Sequence, residues 1–177
     1  MLEVRFHGRG GQGAVTAAQI LAIAAFHKGN QSQAFPRFGT ERRGAPVEAF
    51  TRISKDKIYL RSAVYNPDIV IVLEPSLMNS VDVTKGLKKD GILIINSSKK
   101  QKIKNFKTYN IDATGISTEI FGRDIVNTPM LGALAAISDL VDIECINKGI
   151  KERFTARKKD MIKKNQKAVM EVYKQLK

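Results

Sequence analysis

A glycine-rich turn, set between a short alternating strand and a helix of small residues, constrains what this chain can fold into. Leu2, Val4 and Phe6 alternate with Glu3, Arg5 and His7 over residues 2–7, the periodicity of a strand. Gly8-Arg9-Gly10-Gly11-Gln12-Gly13 follows, and Gly8, Gly10 and Gly13 fit the spacing G-x-G-x-x-G. Residues 13–28 are then rich in Ala, Ile and Leu nearly all round, as in a helix buried between a sheet and another surface. Strand, turn and helix in that order is the context the motif requires. Glycines permit positive φ and close approach. The helix start beyond them offers unpaired N–H groups and the positive end of a dipole to an anion.

The remaining elements follow from the same kind of pattern. Lys28-Gly29-Asn30 stops the first helix with a basic last turn and a glycine. Residues 31–35 form a short strand, and 47–53 another. Ile58-Tyr59-Leu60 reads as the hairpin partner of 47–53 across the turn Ser54-Lys55-Asp56-Lys57, which makes the sheet mixed. Asp68-Ile69-Val70-Ile71-Val72-Leu73 and Ile92-Leu93-Ile94-Ile95-Asn96 are continuous aliphatic runs, as at the centre of a parallel sheet. Pro75 starts a short helix. Lys107 to Ile111 is one more strand, with Asp112 or Thr114 capping a helix over 113–121. Thr128 at the cap and Pro129 at the first helical position open a further helix over 130–140. Residues 143–154 and 157–176 are amphipathic, with Met161, Ala168, Val169, Val172 and Leu176 as the apolar stripe of the last helix. The fold class expected is α/β: a three-layer α/β/α arrangement around a Rossmann-like open mixed sheet with an antiparallel hairpin. Residues 1–177 are expected to form one domain, with a helical C-terminal segment at about 143–177.

Composition narrows the function. No apolar run approaches the roughly 18 residues that cross a bilayer, and residues 1–4 do not begin a secretory signal, so a cytoplasmic location is expected. One cysteine, Cys145, and two histidines, His7 and His27, supply neither a disulfide nor the thiolates of an iron–sulfur cluster. The net charge of +13 suits nucleic acid, an anionic cofactor or an acidic subunit. It is concentrated from Lys85 to Lys107 and from Lys148 onward, where solvated helix faces and a lysine-rich loop are the plainer account of it. His27 at a helix end suits the dipole. His7 either faces a ligand or serves as a hydrogen-bonding spacer. No nucleophile elbow or Walker lysine is present, which favours a subunit or a binding module over a self-sufficient enzyme.

Three readings of the glycine turn stand side by side. A dinucleotide site needs a carboxylate about 20 residues on, at the end of the second strand, but Gln31-Ser32-Gln33-Ala34-Phe35 contains none. The glycines alone can serve tight strand-to-helix packing. Alternatively, the turn holds a polyphosphate together with arginines. Arg9 lies within it, and Phe35-Pro36-Arg37-Phe38-Gly39-Thr40-Glu41-Arg42-Arg43-Gly44-Ala45-Pro46 is a proline- and glycine-marked loop with further arginines. Guanidinium forks suit phosphate and carboxylate.

The stretches Arg5 to Ala18, Gln33 to Pro36 and Phe38-Gly39-Thr40-Glu41-Arg42-Arg43-Gly44-Ala45-Pro46-Val47 closely resemble the gamma subunits of archaeal and bacterial pyruvate:ferredoxin oxidoreductases, within the 2-oxoacid:ferredoxin oxidoreductase family. Tyr65-Asn66-Pro67-Asp68, Asp90 to Asn96 and Val126-Asn127-Thr128-Pro129-Met130-Leu131-Gly132-Ala133 extend the likeness to roughly residues 2–154. The resemblance implies an enzyme complex that oxidises pyruvate with coenzyme A to acetyl-CoA and carbon dioxide and reduces ferredoxin. It implies alpha, beta and delta partner subunits that hold thiamine diphosphate and iron–sulfur clusters, with none held by this chain. Coenzyme A is then a shared substrate. The subunit implied covers the active site and helps bind coenzyme A, with Gly8, Arg9, Gly10, Gly11, Gln12, Gly13, Glu41, Arg42, Arg43 and Asn127 as the cofactor-binding candidates; no catalytic residue and no metal ligand is assigned. The same residues suit docking onto the thiamine-binding subunits. A gamma subunit of, or shared with, a branched-chain 2-oxoacid oxidoreductase is the alternative within the family. A nucleic-acid-binding module is the alternative outside it, poorly served because the basic tail lacks interleaved aromatics.

Overall fold

The computed structural model describes residues 1–37, 44–154 and 159–177. Six strands, β1 (Leu2–Arg9), β2 (Gln31–Pro36), β3 (Pro46–Ser54), β4 (Ile69–Val72), β5 (Ile92–Asn96) and β6 (Lys107–Ile111), form one sheet in the order β2-β3-β1-β4-β5-β6. β1, β4, β5 and β6 run parallel, whereas β3 is antiparallel to both β1 and β2. The aliphatic runs occupy the centre of the parallel part, where both faces are covered: every residue of β4 is buried.

Five helices, α1 (Ala14–His27), α2 (Ala113–Phe121), α3 (Pro129–Ile137), α4 (Ile143–Arg153) and α5 (Lys159–Leu176), all contribute to one large apolar cluster with Val4, Phe6, Ile69, Ile71 and Ile94 of the sheet. The alternate positions Val70, Val72, Leu93 and Ile95 form a second cluster with Val83, Leu87, Met78 and Phe106. The α/β class and the open mixed sheet therefore stand, and the layer on the second face is a 3₁₀ turn (Pro75–Asn79) and coil. Two buried arginines bind that coil to the sheet. From β1, Arg5 Nη2 donates to the carbonyls of Val83 and Lys85 at 2.9 and 2.7 Å. From β3, Arg52 donates to the carbonyls of Leu60, Ser62 and Ala63 at 3.2, 2.7 and 3.3 Å.

One expectation is corrected. Ile58-Tyr59-Leu60 is not a strand. Both edges of β3 are already paired, by β1 and by β2, so no ladder is open to it, and Arg52 takes the Leu60 carbonyl instead. The antiparallel hairpin is β2–β3. At α3, Thr128 holds the cap position and Pro129 the first helical position, as expected, without a side-chain cap; the Thr128 backbone is already helical and Met130 N–H bonds to the Val126 carbonyl at 3.1 Å. The Thr128 hydroxyl is buried without a hydrogen-bond partner among the described residues. Of the two caps expected for α2, Asp112 acts, accepting from Gly115 N–H at 2.8 Å.

Candidate functional site

The turn after β1 lies at the carboxyl ends of the parallel strands, between β1 and β4. In open α/β sheets this is where ligands bind. Gly8, next to the end of β1, sits in close contact: a Cβ there would stand 3.3 Å from Leu73 Cδ1 and 3.5 Å from Ala14 Cβ. Gly10 continues the ladder beyond β1, donating to the Ala45 carbonyl at 2.8 Å and accepting from Gly44 N–H at 3.2 Å. Its N–H is thus already used. Gly13 has φ +81° and caps α1 with no side chain; a Cβ on it would come within 2.6 Å of Asn127 Nδ2.

Gln12 and Arg9 are braces of the turn. Gln12 Oε1 accepts from Arg9 N–H at 2.7 Å, and its Nε2 donates to Glu74 Oε2 at 3.0 Å. The Arg9 guanidinium donates to the Gly44 carbonyl and to Ser76 Oγ, both at 3.1 Å. Glu74 in turn accepts from Ser76 N–H at 3.1 Å. Burial raises the pKa of Glu74, but the hydrogen bonds from Ser76 and Gln12, with the charge of Arg9, outweigh it and hold the carboxyl below its ordinary range. The crevice between β1 and β4 is therefore closed by side chains of the chain itself.

An opening remains on the other side of the turn, at the start of α1. This helix has no side-chain cap and no acid in its first turn, so no carboxylate of its own offsets its N–H groups and dipole, although Asp124 and Asp160 line the space it faces. A cleft of about 750 Å³ opens there, lined by Gly11, Gly13, Thr16, Arg123, Asn127 and Asn165 among others. Asn127 is nearly buried and its Nδ2 donates to the Gly13 carbonyl at 3.3 Å. A second cleft, of about 600 Å³, lies at the opposite ends of the strands, beside Leu2, Asp68 and Ile92. Its position at the amino ends of β4 and β5 makes it the poorer candidate for a ligand.

Glu41, Arg42 and Arg43 lie outside the described residues. Both flanks of their segment are described. Arg37 donates from its backbone to the Glu48 carbonyl and from Nη1 to Glu48 Oε2, each at 2.9 Å, and Gly44 is tied to Gly10 and Arg9. Arg43 directly precedes Gly44 in the chain, and Gly44 lies beside the glycine turn. The structure thus brings together the turn, Asn127 and the root of the arginine loop.

His7 does not face the cleft. It is 2% exposed, its Nδ1 lies 3.8 Å from Glu48 Oε1, and Nε2 has no partner among the described residues. Burial, reinforced by the Arg5 charge, lowers its pKa to about 4. His27 pairs with Glu152. Cys145 is buried in the first turn of α4, and burial together with Asp142 raises its thiol pKa. One buried thiol does not fit an iron–sulfur cluster, and among the described residues no group of three His, Cys, Asp or Glu is placed to hold a metal ion. No helix among them is long and apolar enough to cross a membrane.

Glu74, Ser76, Arg123 and Asn165 also belong to this region, and no motif or spacing singles them out as site residues. Asn165 left a signal: it interrupts the apolar stripe of α5 between Met161 and Ala168. It is fully buried, with Nδ2 on the Met161 carbonyl at 2.7 Å and Oδ1 without a hydrogen-bond partner among the described residues. Glu74 and Arg123 gave none, since a Glu before a proline and an Arg after a glycine read simply as turn residues.

Residues 3–175 match the family model described as pyruvate ferredoxin/flavodoxin oxidoreductase. The chain is 54% identical over 176 residues to the pyruvate synthase subunit PorC of Methanocaldococcus jannaschii, spanning 99% of this chain and 97% of that protein. It is 52% identical to the pyruvate/ketoisovalerate oxidoreductases common subunit gamma of Thermococcus kodakarensis, over 98% of this chain and 96% of the relative. Among solved structures, pyruvate oxidoreductase subunit PORC of Thermotoga maritima superposes with a TM-score of 0.83 at 40% identity, covering 98% of this chain and 95% of that one.

Proposed function

Because the chain belongs to the pyruvate ferredoxin/flavodoxin oxidoreductase family as a gamma-type subunit, we propose that its glycine turn and arginine loop form part of the coenzyme A side of an active site shared with other subunits. The complex would oxidise pyruvate with coenzyme A to acetyl-CoA and carbon dioxide and pass the electrons to ferredoxin. Thiamine diphosphate and the clusters would reside on alpha, beta and delta partners, in keeping with a chain whose one thiol is buried. The observation that carries the reading is the uncapped start of α1, open to a cleft beside Asn127, on a turn to which Gly44 at the root of the Arg42-Arg43 loop is also bonded.

The chemistry assigns simple tasks to these residues. Coenzyme A carries a pyrophosphate and a 3′-phosphate. N–H groups at the start of α1 stabilise such charge, and the guanidinium forks of Arg42 and Arg43 add charge-assisted bonds. Gln12, Arg9 and Glu74 hold the turn in shape. The subunit covers the active site without supplying a redox centre. Pyruvate is the substrate favoured by the PorC relatives. A shared subunit that also serves a branched-chain 2-oxoacid enzyme is the second reading, favoured by the name of the Thermococcus relative.

The test is Arg42→Ala with Arg43→Ala in the reconstituted complex. The expected result is a KM for coenzyme A raised about tenfold or more, the effect of losing charge-assisted bonds, with the KM for pyruvate unchanged and the subunits still associated. An unchanged coenzyme A KM, with the gamma subunit released, would assign the arginines to docking.

A further inference from the structure

The coil between β3 and β4 presents an unusual combination. Tyr59 is 82% exposed, Leu60 48% and Tyr65 67%. Apolar residues scattered singly on a surface need no explanation, but a cluster on one segment does. Nor is the segment loose at its base. Arg52, 1% exposed, donates to the carbonyls of Leu60, Ser62 and Ala63, pairs with Glu3 Oε1 at 2.9 Å, and lies 5.0 Å from the centre of the Phe35 ring. Val64 is buried. Gly86 packs against the Tyr65 carbonyl so closely that a Cβ there would overlap it, and Lys88 N–H bonds to the Pro67 carbonyl at 3.0 Å. A fully buried guanidinium is thus devoted to fixing backbone whose own side chains project into solvent. Holding aromatics in place beforehand reduces the ordering entropy of binding, and Tyr is among the residues that anchor interfaces.

The occupant follows from charge. Lys55, Lys57 and Arg61 are exposed around Tyr59 and Leu60, against one acid, Asp56, on a chain of net charge +13. We propose that Tyr59, Leu60 and Tyr65 form a docking loop for another subunit of the oxidoreductase complex, one that offers an apolar hollow with an acidic rim. The proposal rests on the reading of this chain as a subunit. It is independent of the coenzyme A role, because the loop rises from the second face of the sheet, whereas the cleft at α1 opens on the helical side.

The experiment uses the intact complex with Tyr59→Ser and Leu60→Ser together in this chain. Both side chains are exposed, so the melting curve of the isolated subunit should not move. Affinity for the remaining subunits, measured by size exclusion across a dilution series, should weaken about thirtyfold or more, the effect of removing interface anchors. Complex assembled at high concentration should keep its wild-type KM for coenzyme A, in contrast to the Arg42 and Arg43 variants. A second variant, Lys57→Glu with Arg61→Glu, should also weaken association and reverse its dependence on salt. Wild-type association in either variant would overturn the proposal. So would loss of binding to a single-stranded oligonucleotide with assembly intact, which would make the loop a nucleic-acid contact.

Discussion

His7 shows how one residue can be misread from its neighbours. It precedes the glycine turn by a single position, which made it a candidate to face a ligand. The alternation of β1 instead turns it onto the second face with Arg5, under the coil. Its pKa of about 4 lies below the ordinary 6.5, first through burial and then through the Arg5 charge. Between those two values the unfolded chain binds the proton and the folded chain does not, so the unfolding free energy rises with pH. The contribution is intact above about pH 6.5 and is lost as pH falls towards about 4, amounting to roughly 3 kcal/mol. Asp142, held down first by the Cys145 N–H, keeps its stabilising contribution throughout the His7 window and loses it only as pH falls below its ordinary 3.8. Denaturant midpoints measured at about pH 7 and about pH 5 should differ for the wild type, and His7→Gln should remove most of the difference. Equal pH sensitivity in the two proteins would contradict the burial argument.

At the scale of elements, the helical layer depends on two close crossings. A Cβ at Gly132 of α3 would stand 2.2 Å from the Val169 carbonyl of α5, and one at Gly149 of α4 would stand 2.8 Å from the Ile20 carbonyl of α1. Backbone cannot yield as a flexible side chain does, so Gly132→Ala should cost about 3 kcal/mol, the upper part of the range for overpacking. Gly122, which ends α2 at φ +69° with open space around it, should cost only about 1 kcal/mol when changed to Ala. Thermal unfolding of both variants checks this order. A larger drop in Tm for Gly122→Ala would place the stress in the backbone conformation rather than in the helix crossing. Neither crossing was legible, because a glycine within a small-residue helix carries no mark of its partner. The strands were legible from alternation and aliphatic runs. The hairpin was half-read: Ile58 to Leu60 had a strand's composition, but composition does not reveal that β1 and β2 already occupy both edges of β3.

For the whole molecule, the sequence specified the start of the site better than its surroundings. The strand, glycine turn and helix over residues 2–28 are where the spacing placed them, and the absent acid in Gln31 to Phe35 already argued against a nicotinamide. The Arg9 and Gln12 braces to Ser76 and Glu74 were not legible, since they join positions more than 60 residues apart through short, common residue types. Nor was the cleft, which needs α5 and the Arg123 segment to meet the start of α1. These contacts brace the turn on the side of Glu74 and Ser76, while its residues Gly11 and Gly13 line the cleft. The glycine turn and the arginine loop are proposed to hold the phosphates of coenzyme A. Equilibrium dialysis of coenzyme A against the intact complex, without 2-oxoacid, tests it most directly. The Arg42→Ala, Arg43→Ala complex should bind about tenfold or more weakly than wild type, with the steepness of its salt dependence reduced. Equal affinity and equal salt dependence in the two complexes would contradict the claim.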